Sequence, residues 1–101
     1  MKKTWLLVAA AILALGMAGT AQAGGDAAAG KTKAKGCVGC HGADGKGKGK
    51  NPPIVGKDEA TFVASLNDYK SGSKEHKMMN MLAKKLSDQD MADLAAYYAS
   101  M

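Results

Sequence analysis

Residues 37–41 read Cys-Val-Gly-Cys-His, two cysteines three positions apart with a histidine directly after the second. A C-x-x-C-H run of this kind is the attachment site of c-type haem. The spacing has a chemical reason, because two thiols three positions apart near a helix end can reach the two vinyl groups of one porphyrin. The next residue, His41, then lies under the iron as its proximal ligand. The motif therefore predicts one haem c per chain, held covalently by Cys37 and Cys40.

Two other kinds of site also contain a C-x-x-C pair. A redox-active dithiol like that of thioredoxin would be expected within a βαβ pattern, and no such pattern surrounds residues 37–41. A zinc site needs two further ligands at matching spacing, and the sequence does not supply them. The haem interpretation is the one that all five positions support.

The start of the chain has the three-part pattern of a secretory signal peptide. Lys2 and Lys3 precede an apolar run from Trp5 to Leu15, and the small-residue stretch 21–23 follows. The sequence thus predicts a signal peptide at residues 1–23, one mature domain at residues 24–101 and a periplasmic location.

An uncleaved membrane anchor is the alternative for this segment, since a span needs about 20 apolar residues. Gly16, Gly19, Thr20 and Gln22 interrupt the apolar stretch and weaken that alternative. We therefore expect no stable membrane anchor after cleavage.

Size and charge restrict the possible functions further. The 101 residues allow a single small domain, and residues 24–101 contain only 17 large apolar side chains. Domains with so thin a core usually depend on a disulfide, a metal or a bound group. Loss of Lys2 and Lys3 lowers the formal net charge from +5 to +3, and the chain has no arginine. These features, with export and the lack of an aromatic platform, argue against nucleic-acid binding.

Residues 25–32, Gly-Asp-Ala-Ala-Ala-Gly-Lys-Thr, satisfy the P-loop formula G-x-x-x-x-G-K-[ST]. A phosphate-binding loop follows a buried β-strand, whereas this segment follows a predicted cleavage site. Export also removes the chain from the nucleotide pool, so no nucleotide is expected. The segment instead predicts a first helix that begins near Asp26, with Gly30 as a point of close packing.

Helical signals recur along the rest of the chain, and strand signals do not. Residues 26–36 are rich in alanine and lysine and are compatible with a helix that runs into the cysteines. Residues 42–56 are rich in glycine and proline and predict a loop. Apolar side chains at helical spacing predict a helix over residues 58–69, and Ser87 with Asp90 resembles a capping box before a last helix.

These segments together resemble the small single-haem class I c-type cytochromes of bacteria. The resemblance covers essentially all of residues 24–101: the opening GDAAAGK, the haem segment CVGCHGADG, the proline loop PPIVG and the closing LSDQDMADLAAYYAS. It implies an all-α fold, the class I cytochrome c fold, with three to four short helices wrapped around one covalently bound haem. It also implies that the last helix crosses the first at Gly30, with Leu94 and Tyr97 packing over it.

The resemblance further assigns residues around the haem. The family has a proline whose carbonyl holds Nδ1 of the proximal histidine, and this proline matches Pro52, with Pro53 as the alternative register. Ile54 falls where the family packs an aliphatic side chain on the porphyrin.

Three methionines compete for the other face of the iron, Met78, Met79 and Met81. In the family the ligand stands seven residues before the start of the LSD segment, and counting back from Leu86 reaches Met79. The alternative for each methionine is packing in the core without binding iron. His76 is a further candidate ligand, although a lone histidine in a polar loop is more often only solvated.

An iron between His41 and a thioether has no open position for a substrate, and the soft sulfur favours the reduced state. The sequence has no carboxylate pair, activated nucleophile or second metal cluster, so it predicts a soluble electron carrier and not an enzyme. The alternative is a ligand-binding or peroxidatic haem c protein with a labile sixth ligand.

Redox partner proteins are the expected partners of such a carrier: a cytochrome reductase, a dehydrogenase or a terminal oxidase. The lysines that flank the haem segment and the methionines would form a ring for acidic patches: Lys31, Lys33, Lys35, Lys46, Lys48, Lys50, Lys74, Lys77, Lys84 and Lys85. A merely solvated face is the alternative. The chain is expected to be a monomer.

Overall fold

The computed structural model describes residues 24–101, and the predicted signal peptide lies outside this part of the chain. Five helices follow one another here: α1 (Ala27–Lys33), α2 (Lys35–His41), α3 (Glu59–Ser71), α4 (Lys77–Lys84) and α5 (Asp88–Ala99). These residues contain no strand beyond one isolated bridge between Lys48 and Asn51. The all-α prediction is confirmed, with one or two more helices than expected. None of the described helices is both long and apolar enough to cross a membrane.

The first predicted helix is divided into α1 and α2. Asp26 caps α1, and its carboxylate accepts hydrogen bonds from the amides of Ala28 and Ala29 at 2.9 and 3.4 Å. The buried residue Ala34 separates the two helices, and its carbonyl accepts the amide of Cys37 at 2.8 Å. The cysteine motif therefore occupies a short helix of its own.

The helix crossing at Gly30 is so close that only glycine fits. A Cβ atom on Gly30 would lie 2.0 Å from the carbonyl oxygen of Asp93 and 2.7 Å from Cβ of Tyr97. Tyr97 is thus at the contact, as the resemblance implies. Leu94, which was expected to pack over Gly30, is not among the nearest atoms. The backbone of Asp93 takes that place, and Leu94 is buried in the core.

The core lies between α3 and α5 and is completed by Ala34. Phe62 and Leu66 of α3 pack with a set of buried side chains of α5, namely Met91, Leu94, Ala95 and Tyr98. The rings of Phe62 and Tyr98 have centroids 5.6 Å apart. Ser87 and Asp90 form the predicted capping box at the start of α5. α5 is thereby fixed at its first turn and along its apolar face.

A polar network joins α1 to α5 beside the glycine contact. Asp93 is buried, and its Oδ1 accepts the amide of Asp26 and the Nε2 group of Gln89, both at 2.8 Å. Lys33 Nζ lies 2.6 Å from Asp93 Oδ2 and 2.7 Å from Asp90 Oδ1. The Asp26 amide, then Lys33 and Gln89, lower the pKa of Asp93 to about 2. Lys33 is the main cause that lowers the pKa of Asp90 to about 2.

We expect Asp93→Asn to lower the thermal midpoint at neutral pH by several degrees, because the neutral side chain of asparagine has one acceptor oxygen instead of two and cannot form an ion pair with Lys33. The folded-state pKa of about 2 lies below the ordinary 3.8, so the carboxylate stabilises the fold above about pH 4. This contribution is lost as the pH falls through about 2. The thermal midpoint of the variant should therefore change less between pH 4 and 2 than that of the parent. Circular dichroism of the two holoproteins measures both midpoints.

Asp88→Asn is the matched control, since Asp88 is exposed on the same helix and its side chain makes no hydrogen bond within residues 24–101. Its midpoint should change little. Equal midpoints for the Asp93 variant and the parent at neutral pH would contradict the structural role of this carboxylate.

Candidate haem-binding site

The two cysteines occupy successive turns of α2 and are both free thiols, Cys37 half-buried and Cys40 exposed. Positions three apart on a helix share a face, so both sulfurs can reach one planar group. Burial raises the pKa of the Cys37 thiol, and Cys37 packs against the core cluster. A group attached to these two sulfurs would cover the adjoining part of the core.

His41 ends α2 and is buried, with 7 % of its surface exposed. Its Nδ1 lies 2.8 Å from the carbonyl oxygen of Pro52. With the hydrogen on Nδ1, the ring donates to Pro52 and its Nε2 is left to bind a metal. The carbonyl at the ring belongs to Pro52 and not to Pro53.

The glycine-rich loop holds Pro52 in this place. Within it, the amides of Ile54 and Val55 donate hydrogen bonds to the carbonyl of Gly45, at 2.7 and 3.2 Å. Gly45 has φ of 69°, and a Cβ there would lie 2.7 Å from Cγ1 of Val55. The loop therefore needs glycine at position 45 to close. Ile54 is half-buried and packs against the core cluster.

All three candidate methionines lie on α4, which begins directly after His76. Met79 is half-buried and packs against the core cluster. Met78 and Met81 are 54 % and 53 % exposed. Of these three methionines, Met79 is the one that contacts the core cluster.

The other candidate ligand, His76, caps α4. Its Nδ1 accepts the backbone amide of Met79 at 3.3 Å. Sequence reasoning missed this role because the usual N-cap residues are Ser, Thr, Asp and Asn. It also missed Asn80, whose side chain makes three hydrogen bonds around the start of α4.

The residues present fit a haem c. The donor set consists of two thiols and an imidazole on α2 and a thioether on α4, which suits covalent haem with two axial ligands. Tyr98 supports this fit, because its buried hydroxyl has no hydrogen-bond partner within residues 24–101. Burial and then the neighbouring Cys37 raise the pKa of this hydroxyl. The same residues hold no cluster of three or more His, Cys, Asp or Glu side chains that could bind a metal by themselves.

Comparisons with known proteins agree with this donor set. A family model described as "Cytochrome c" matches residues 27–101. A cytochrome c4 of Pseudomonas aeruginosa is 45% identical over 95 residues, which are 93% of this chain and 47% of that protein. A cytochrome c-554(548) of Halomonas halodenitrificans is 42% identical over 80 residues, 75% of this chain and 96% of that protein.

Solved structures show the same relation. Reduced recombinant cytochrome c4 from Pseudomonas stutzeri superposes with a TM-score of 0.68 at 39% identity, over 76% of this chain and 46% of the other. The chain thus spans about half the length of the cytochrome c4 relatives it matches.

Proposed function

Because the chain belongs to the cytochrome c family as a small bacterial class I c-type cytochrome, we propose that it carries single electrons through one haem c bound to Cys37 and Cys40. When bound, the haem supplies a metal centre that gains or loses one electron. The observation that carries the proposal is the buried His41 ring, which directly follows the two thiols and is held through Nδ1 by Pro52.

We assign His41 and Met79 as the axial ligands. The Pro52 carbonyl keeps the imidazole in one orientation and one tautomer, and it increases the basicity of Nε2. The soft thioether of Met79 favours the reduced state and raises the potential. A haem held by His41 and Met79 would have no open position for a substrate, and the chain would supply no enzymatic step of its own.

The surrounding side chains keep water away and limit movement between the oxidation states. Ile54, on the loop that presents Pro52, is assigned to the porphyrin face beside His41. Because Ile54 and Met79 both pack against the core cluster, the two sides of the site are supported by the same interior. A site supported in this way should change little in geometry when one electron is added.

We place the mature protein, residues 24–101, in the periplasm as a monomer, after removal of the signal peptide at residues 1–23. The signal-peptide pattern supports this location, because Lys2 and Lys3 precede the apolar run from Trp5 to Leu15 and small residues follow it. The comparisons do not favour the alternative, a ligand-binding or peroxidatic haem c protein.

The proposal is tested by a redox titration of the purified holoprotein, followed in the visible spectrum, and by addition of carbon monoxide to the reduced form. An electron carrier should titrate as one electron per chain and leave the spectrum unchanged with carbon monoxide. Rapid stoichiometric binding of carbon monoxide by the parent protein would instead support the ligand-binding alternative.

We propose that redox partners dock through acidic patches on the exposed lysines of the glycine-rich loop. Lys46, Lys48 and Lys50 are all exposed on the loop that leads from His41 to Pro52. The prediction that Lys33 belongs to the ring of docking lysines was wrong, because its ammonium group is bound to Asp90 and Asp93 within the fold. The docking surface therefore excludes Lys33.

Reversing Lys46, Lys48 and Lys50 to glutamate should slow second-order electron transfer to an acidic partner while the potential stays nearly fixed. Rim charges act mainly on association rates. The parent rate should also fall with added salt, since the Debye length decreases from about 10 Å at 0.1 M to about 3 Å at 1 M. Stopped-flow mixing with the native partner measures both effects.

Replacement of the same three lysines by arginine is the matched control, because it keeps the charge, and its rate should stay near that of the parent. A rate insensitive to both salt and charge reversal would show that these lysines are only a solvated face.

A further inference from the structure

The connection between α3 and α4 has no apolar anchor. Its residues 72–76 read Gly-Ser-Lys-Glu-His, and all five are exposed. Hydrophobic packing of residues 72–76 therefore does not fix where α4 begins or how its first turn is rotated, and the buried residue of α4, Ala83, lies in its last turn. Hydrogen bonds have to supply this information.

Asn80 supplies three of these hydrogen bonds from one side chain. Its Nδ2 group donates to the carbonyl of Tyr69 at 2.8 Å and to the carbonyl of Lys74 at 2.9 Å. Its Oδ1 accepts the backbone amide of His76 at 2.9 Å. The Tyr69 carbonyl is among the last four of α3, which a helix leaves without an internal partner. One amide thus joins the end of α3, the connection and the residue that caps α4.

The rotation of α4 matters because three methionines lie within four positions of each other. Successive residues of a helix are about 100° apart around its axis. Turning α4 by one residue would bring Met78 to the position of Met79 and would break the bonds of Asn80. In the observed rotation Met79 packs against the core, and Met78 and Met81 point outward with more than half of their surface exposed.

We propose that Asn80 is a positioning residue that fixes the rotation of α4 and thereby selects Met79, instead of Met78 or Met81, as the thioether that faces the haem. This inference rests on the proposed function, which assigns a methionine as axial ligand. A planar amide suits the role, because it offers two donors and an acceptor in one rigid group. Aspartate keeps the acceptor for the His76 amide and loses both donors, and alanine loses all three bonds.

The test is proton NMR of the reduced holoprotein, in which the methyl group of a ligating methionine is shifted far upfield by the porphyrin ring current. The parent should give one such signal. Asn80→Ala and Asn80→Asp should each give a second signal from a competing methionine. The competing rotation should gain at least about tenfold in population relative to the parent, which equals ~1.4 kcal/mol.

Removing the competitors separates selection from mere loss of stability. With Met78→Leu and Met81→Leu added, the Asn80 variants should return to a single signal, although their thermal midpoints stay lowered. Asn67→Ala is the matched control, an exposed asparagine on α3 whose side chain makes no hydrogen bond within residues 24–101, and it should keep the parent spectrum.

A single unchanged signal in both Asn80→Ala and Asn80→Asp would overturn the inference, as would a second signal that survives when Met78 and Met81 are replaced. Failure of the proposed function has a different signature. The upfield signal would then survive Met79→Ala while Asn80 is intact, which shows that Met79 is not the ligand at all.

Discussion

Replacing Cys37 or Cys40 with alanine is expected to abolish the accumulation of stable holoprotein. The buried core of residues 24–101 consists of a few side chains of α3 and α5 with Ala34. A domain of this size gains too little from such a core to offset its chain entropy without a bound group. Loss of one thioether would also weaken the link between α2 and the interior beside Cys37. The measurement is the yield of haem-containing protein and its thermal midpoint.

Gly39→Ala is the matched control for the cysteine variants. Gly39 lies between the two cysteines on the same helix, and a Cβ there would meet no atom within 4 Å. This variant should accumulate like the parent. Recovery of either cysteine variant with parental yield and midpoint would contradict the claim that the fold depends on the tethered haem.

Met79→Ala is expected to open the sixth position of the iron. Removal of the thioether leaves no side chain of comparable reach at that point of α4, so the reduced protein should become high-spin and bind carbon monoxide stoichiometrically. The near-infrared absorption band that arises from the sulfur–iron bond should disappear in the oxidised form, and the potential should fall because the soft ligand is lost.

Met78→Ala and Met81→Ala are the controls for this prediction, because both side chains are more than half exposed. Each should keep the sulfur–iron band and remain unreactive toward carbon monoxide. A band that survives in Met79→Ala and vanishes in one of the other two variants would mean that the ligand register is wrong.

Several elements of the fold could be predicted because their signals are local in the sequence. Asp26 and Ser87 are good N-cap residues, and both begin helices in the structure. The glycine at position 30 indicated a close contact, and the structure has the backbone of α5 there. The haem motif is equally local, since its five positions are contiguous.

Other features depend on tertiary contacts that no local pattern specifies. The first helix is divided at the buried residue Ala34, although alanine favours continuous helix. α4 begins at an unusual cap, His76, and is held by Asn80 through bonds to residues up to eleven positions away. The sequence around Lys33 indicates a surface charge, because its partner Asp93 lies sixty positions later in the chain.

Haem attachment is tested most directly by the pyridine haemochrome spectrum of the purified protein, taken together with its intact mass. One haem c per chain, with both vinyl groups saturated, should give the spectrum of a doubly attached haem. The mass of the chain should be increased by one haem, and this increase should remain after extraction with acidic acetone. Haem that is extracted by acidic acetone, or a chain that carries none, would contradict the assignment of Cys37 and Cys40 and with it the proposed electron carrier.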